Sequence, residues 1–268
     1  MIFTINHVTT YRYEAPMRSA VQSLRLFPSR FDGQRVIGWE VKVEGGTRGG
    51  SFRDGAGDRV EGWSVRGPVS EVSVAVTGQV ETIDLAGVLR GHRELVHPFA
   101  YLRETAATWI DDAVETLAQE AGGTDPLSRA HALSRAVSKA IAYVPGATDT
   151  HTTAAEALAQ GEGVCQDHAH ALCAAARAVG MPARYVSGYL YARDDGAPHE
   201  ASHAWAEIWV EGIGWIGFDA ANECCPDENY IRLGSGLDAR EAAPIKGIAL
   251  GQGEEALDVT VALDAVQQ

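Results

Sequence analysis

A cysteine, a histidine and an aspartate stand where local patterning lets them attack a carbonyl together. Cys165 follows Gly161-Glu162-Gly163-Val164 and opens a run of small and apolar residues, 165–179, that Gly180 and Pro182 end. A side chain in the first turn of a helix meets unpaired backbone N–H groups and the positive end of the helix dipole. That environment favours an anion, and the nucleophilic form of cysteine is its thiolate. The same N–H groups can bind the oxyanion of a tetrahedral intermediate. Cys173, two turns further along, has neither advantage and reads as core.

His203 and Asp219 lie in consecutive strand-like runs joined by Trp209-Val210-Glu211-Gly212-Ile213-Gly214. If the two face each other across a hairpin, the turn centres on Glu211, and a three- or five-residue loop satisfies this. Cross-strand partners have Cβ atoms roughly 5 Å apart. A carboxylate at that separation can hold one imidazole nitrogen and leave the other to take a thiol proton. Each residue alone has an ordinary reading: a small core cysteine, a structural histidine, a turn aspartate. The helix start and the hairpin spacing together favour a Cys-His-Asp triad.

The elements that must position these groups follow from the periodicity. Residues 1–13, 35–43, 58–65 and 71–83 alternate as strands, separated by turns such as Gly45-Gly46 and Asp54-Gly55. From about His97 the period becomes helical, over 98–107 and 109–121. A further helix opens at Asp125-Pro126 and stops before Pro145. Thr153-Ala154-Ala155-Glu156 resembles a capping box for a short helix ending at Gly161. Strands are expected over 183–192, 203–210 and 214–219, and in the tail over 230–233 and 256–263. The result is an α+β chain of two domains. A β-rich N-terminal domain spans 1–90, and a core spans 91–268 with its nucleophile helix packed on an antiparallel sheet and the C-terminal strands included.

The segments around the three residues also resemble a known family. Gly161-Glu162-Gly163-Val164-Cys165-Gln166-Asp167, Gly180-Met181-Pro182-Ala183-Arg184-Tyr185, Ser202-His203-Ala204-Trp205-Ala206-Glu207 and Gly214-Trp215-Ile216-Gly217-Phe218-Asp219 are similar to the transglutaminase-like superfamily core. His7-Val8-Thr9-Thr10-Tyr11-Arg12-Tyr13 and Ser23-Leu24-Arg25-Leu26-Phe27-Pro28 resemble the β-rich domain preceding that core in bacterial members. The resemblance implies a papain-like fold, the three catalytic roles on Cys165, His203 and Asp219, and a cysteine protease or amidase. By the same analogy Tyr143 is an oxyanion donor. Two departures stand out: Asp219-Ala220-Ala221-Asn222 replaces the family's Asp-Pro-Thr-Asn, and His168 replaces an aromatic residue. Loss of the proline should loosen the exit from the last strand.

Among supporting residues, Gln166 joins Tyr143 as a substrate or oxyanion candidate. Trp205, on the strand face of His203, either shields the His–Asp pair or is an ordinary core tryptophan. Asp167 is expected to pair with Arg184, and residues 192–201 to form a loop before His203 that either gates the substrate or is a plain connection. The main chemical rival is zinc, from Cys165, His168, His170, Cys173, His199, His203, Cys224 and Cys225. No CxxC pair exists, and His168 and His170 point to different sides of a helix, so no metal and no cofactor is expected. A non-catalytic scaffold is the reading from another class, and acyl transfer to an amine is the rival reaction within the enzyme class.

Composition bounds the partners. A formal charge of -14 over 268 residues argues against nucleic acid or an anionic membrane, both of which need clustered Lys and Arg. No apolar stretch approaches the roughly 20 residues of a membrane helix, and Met1-Ile2-Phe3-Thr4-Ile5-Asn6-His7 shows no secretory signal. A cytoplasmic protein acting on a peptide or protein substrate, with four reduced cysteines, is the expectation.

Overall fold

A computed structural model describes residues 1–191 and 202–265. The N-terminal part is built on four antiparallel strands: β1 (Ile2–Leu24), β2 (Gln34–Val43), β3 (Gly46–Arg53) and β4 (Arg59–Thr82). β1 and β4 pair along almost their whole lengths, from Ile2↔Glu81 to Leu24↔Glu61, with an irregularity between Arg12 and Ser19. Alternation drives this pairing. Phe3, Ile5, Val72, Val74, Val76 and Val80 share one fully buried face. The runs 58–65 and 71–83 thus belong to one strand rather than two. β3, which had no alternating apolar pattern to reveal it, is exposed along nearly its whole length and is held by ladder bonds to β4.

The core follows. Helices α1 (Asp112–Glu120), α2 (Pro126–Ala140), α3 (Ala154–Gln160) and α4 (Cys165–Ala178) cover a sheet of strand order β10-β7-β8-β9. Its members are β7 (Ala183–Leu190), β8 (Ser202–Val210), β9 (Gly214–Phe218) and β10 (Tyr230–Gly236), all antiparallel. Two residues of β5 (Ala142–Tyr143) run parallel to β6 (Glu162–Gly163). A single turn, α5 (Ala239–Ala242), precedes β11 (Ile245–Leu250) and β12 (Glu255–Ala265). The alanine-rich α4 is buried because small side chains let it lie close on Ala204, Ala206 and Ile208 of β8. Thr153 caps α3 as its sequence suggests: Glu156 N donates to Thr153 Oγ1 at 3.3 Å, and Thr153 N donates to Glu156 Oε2 at 2.9 Å.

Two expectations change. The helix anticipated over 98–107 is a pair of 3₁₀ turns, Pro98–Leu102 and Ala106–Thr108. The Thr108 hydroxyl takes the Thr105 amide (3.1 Å), offering the backbone an alternative to a continuing helix. The C-terminal strands, assigned to the core by position in the chain, hydrogen-bond to β1 instead: β11 against Ser19 to Leu24, and β12 against Phe3 to Tyr13. The chain therefore returns from the core to complete the sheet with which it began.

The two parts are joined by buried charge. Glu207 of β8 accepts from Arg184 Nε (2.7 Å) and Arg232 Nε (2.8 Å). Arg232 continues to Asp58 Oδ1 (2.8 Å) and Ser29 Oγ (2.6 Å) of the N-terminal part. Arg184 pairs also with Glu94 and lies 4.1 Å over the Trp215 ring. Burial would raise the Glu207 pKa, but the two guanidiniums overcome it and hold the carboxyl down to about 2. Replacing Glu207 by Gln leaves two buried cations undercompensated, and we expect a loss of about 3–5 kcal/mol of unfolding free energy in urea titrations. A loss below about 1 kcal/mol would show that the charges do not join the two parts.

Candidate active site

Cys165 is the first residue of α4, and the turn before it is fixed by Asp167. The buried Asp167 Oδ2 accepts from Val164 N (2.7 Å) and from Thr148 Oγ1 (2.6 Å). Gly163 permits this: a Cβ there would come within 2.8 Å of the Asp167 side chain. Asp167 thus holds the helix start. It does not pair with Arg184, which is occupied by Glu94 and Glu207. Cys165 itself is half-buried, whereas Cys173 is fully buried, and burial pushes its thiol up to about 12.

His203 is the second residue of β8 and lies opposite Gly188 of β7. A Cβ on Gly188 would approach the Trp205 ring to 2.6 Å, so the glycine leaves room for Trp205. The Trp205 ring is buried and stacks on His203 at 6.3 Å and 26°. On the other side, β8 and β9 pair with Ala206 opposite Phe218 and Val210 opposite Gly214. The loop is Glu211-Gly212-Ile213, centred on Gly212 and not on Glu211. Asp219 consequently sits diagonal to His203, and its carboxylate spans the step: His203 Nε2 donates to Asp219 Oδ2 at 2.6 Å. Nδ1 takes no part in that bond, and Cys165 bears on the same ring.

Among the described residues, five groups donate to the Asp219 carboxylate. Besides His203, Oδ2 accepts from Asn222 Nδ2 (2.7 Å) and Tyr230 OH (2.8 Å). Oδ1 accepts from Ala221 N (3.0 Å) and Asn222 N (3.2 Å). Backbone bonds between Asp219 and Cys224 (2.8 and 3.1 Å) close the strand exit. These bonds hold the exit from β9 although Ala220 stands in place of proline, and the carboxylate itself organises the turn. Burial would raise the Asp219 pKa; the bonds from His203, Asn222 and Tyr230 lower it instead. Burial likewise opposes a charged His203, but Asp219 and the Cys165 thiol outweigh it and raise the ring to about 10. Asp219 and Cys165 thus both favour an imidazolium here.

The remaining candidates are distributed around this centre. Tyr143 lies in register with Gly163, two residues before Cys165, and its exposed ring is 6.3 Å from that of His168. Gln166 directs its amide to Thr150 O at 3.4 Å. His168 is committed to two carbonyl oxygens, of Val164 and Ile141 (both 2.9 Å), and His170 accepts from Ala239 N (3.0 Å). Among the described residues no three His, Cys, Asp or Glu side chains gather as metal ligands. His199 and the gating loop expected over 192–201 lie outside the described residues. Asn222 and Tyr230 are the residues that sequence reasoning passed over; a tyrosine opening a strand carries no signal beyond β propensity.

Comparison with known proteins agrees with this architecture. Residues 112–220 match the transglutaminase-like superfamily, and residues 3–81 match the bacterial transglutaminase-like N-terminal region. An uncharacterised Mycobacterium leprae protein, ML0607, is 32% identical over 95% of both chains. The chain belongs to the transglutaminase-like superfamily. An uncharacterised Mycobacterium tuberculosis protein, Rv2569c, is 36% identical over 133 residues, covering 46% of this chain and 42% of its own. The same fold occurs in a Cytophaga hutchinsonii protein described as a "putative cysteine protease", with a TM-score of 0.77 at 23% identity over 100% of this chain and 91% of that one.

Two measurements check the electrostatics. Iodoacetamide at pH 6 is expected to alkylate Cys165 and spare Cys173, with the Cys165 rate falling in His203→Ala; equal labelling of both thiols would contradict the assignment. A histidine whose pKa is raised on folding contributes stability that is full below its unfolded value near 6.5. That contribution is lost as pH rises through about 10. Wild type should therefore lose more unfolding free energy than His203→Gln between pH 6.5 and 10, and parallel curves would refute the shift.

Proposed function

We propose that the chain is a cysteine-dependent hydrolase of peptide or other amide bonds. The observation that supports this reading best is one imidazole faced by the carboxylate of Asp219 and the thiol of Cys165. In the proposed reaction, His203 takes the thiol proton and the sulfur attacks the carbonyl carbon. The tetrahedral oxyanion is met by N–H groups at the start of α4, with Tyr143 and Gln166 as the side chains assigned to assist. Collapse breaks the C–N bond, His203 gives its proton to the departing amine, and the acyl group remains on Cys165. Water, deprotonated by His203, then attacks the thioester and releases the acid and the thiol. Asp219 keeps Nε2 protonated and orients the ring, and Trp205 keeps water from that bond.

An amine entering in place of water would give acyl transfer through the same acyl-Cys165 species. A scaffold without chemistry would have no use for a thiol and a carboxylate that bear on one imidazole. The substrate is a peptide or protein, and no cofactor is required. No described helix is long and apolar enough to cross a membrane. The four cysteines are unpaired, which suits the reducing cytoplasm as the proposed location.

The test is acyl-enzyme trapping from a peptide library, read by mass spectrometry. Wild type should carry the adduct on Cys165, and Cys165→Ala should carry none. His203→Ala should lower turnover by several orders of magnitude, and Asp219→Asn by less. Equal trapping by Cys165→Ala would end the proposal.

A further inference from the structure

Tyr230 is the first residue of β10, on the strand beside β7, and the mechanism above gives it no task. Its hydroxyl donates to Asp219 Oδ2 at 2.8 Å, the same oxygen that receives His203 Nε2 at 2.6 Å. Its ring packs 5.9 Å from His203 and edge-on to Trp205 at 5.5 Å, so it walls the pair as well as touching it. Asn222 Nδ2, at 2.7 Å, makes a third donor to that oxygen. A carboxylate oxygen with several donors shares its negative charge among them, so each added donor weakens its hold on the others.

We infer that Tyr230 is a positioning residue that sets the proton affinity of His203 by sharing the Asp219 carboxylate. The roles given to His203 and Asp219 above are presupposed for the catalytic consequence, but the coupling itself is a property of the hydrogen bonds. The consequence is a compromise. An unshared Asp219 would bind the imidazolium too tightly for the ring to return its proton to a leaving amine, whereas no carboxylate at all would leave the ring poorly charged. Tyr230 and Asn222 hold the pair between these limits. Among the described residues, the titratable groups bearing on this pair are Cys165 from the start of α4, Asp219 at the end of β9, Tyr230 of β10 and Cys224. Cys224 Sγ is 3.2 Å from the Tyr230 hydroxyl. Burial raises both Cys224 and Tyr230 above their ordinary values, so both are neutral at neutral pH and act on Asp219 as dipoles.

The direction of the effect distinguishes this role from a merely structural one. In a Cys165→Ser background, where no thiol titrates beside the ring, the imidazole of His203 can be followed by NMR from pH 5 to 11. Adding Tyr230→Phe should move the His203 titration upward by roughly half a pH unit, the size of one neutral hydrogen bond redistributed. The same substitution with Cys165 intact should move the alkaline limb of kcat/KM in the same direction, with kcat reduced and KM little changed. Asn222→Ala serves as the second variant and should shift the ring the same way, so a failure of Tyr230→Phe to fold leaves the question decidable. An unmoved or lowered His203 titration in folded protein overturns the inference, because loss of packing alone would expose Asp219 and lower the ring. The NMR arm needs no activity. A shifted ring in an enzyme that traps no acyl group would sink the hydrolase reading and leave this coupling standing.

Discussion

Glu207 is a carboxylate with 2% of its surface exposed, and a buried charge is tolerable only where partners surround it. Its partners come from different strands: Arg184 from β7 and Arg232 from β10. Arg232 in turn meets Asp58, whose other oxygen accepts from Ser235 N at 2.7 Å. Satisfying these groups fixes β7, β8 and β10 relative to one another and to the N-terminal part. The requirement is geometric as much as energetic, since guanidinium donors point in fixed directions. Strand alternation carries that constraint to the site. Glu207, Trp205 and His203 share one face of β8, and β10 carries Arg232 and Tyr230 two residues apart on one face. The strands that the ion pairs align are therefore the strands that present the imidazole and the hydroxyl.

The opposite face of the same sheet answers to a different demand. There the neighbours are α4 and a layer of small apolar side chains, and close approach is the governing quantity. Ala204, Ala206 and Ile208 set the height at which α4 lies, and hence where its first residue sits beyond the sheet. Asp167 then sets the direction of the chain as it enters the helix. Cys165 is placed by packing and a cap, and His203 by a ladder and ion pairs. The two placements converge because both are referred to β8.

Much of this was legible from residue types. The glycine-led start of α4, the cap of α3 and the nearness of His203 to Asp219 all rest on local rules that tertiary structure did not override. The hairpin register was misplaced by one position at its turn. The error moved Asp219 from directly opposite His203 to the diagonal, yet kept both on one face, because the change in pairing is an even number of residues. That parity is why the proximity survived. The sheet membership of β11 and β12 was not legible, since alternation shows that a segment is a strand and says nothing of its neighbour. β3 was missed because its residues, Gly46-Thr47-Arg48-Gly49-Gly50-Ser51 among them, bury almost nothing. Tyr230 and Asn222 were missed for another reason: their roles exist only once Asp219 has been placed.

The return of the chain to its first sheet gives the N-terminal part a mechanical meaning. β12 and β4 flank the first half of β1, so the strand bearing His7 is held from both sides. His7 Nδ1 meets the Tyr189 hydroxyl at 2.7 Å, and Nε2 meets Thr9 Oγ1 at 2.8 Å. Burial lowers His7 to about 4, so at neutral pH the ring is uncharged and its two nitrogens serve as one donor and one acceptor. Tyr189 follows Gly188, the residue that lies opposite His203. β1 thus meets β7 beside the position where the imidazole is presented, and the buried ion pairs hold the same strand at Arg184. Two supports on one strand resist rotation as well as displacement, which a single contact does not. The β-rich part stands in this sense behind β7, and the C-terminal strands complete its sheet.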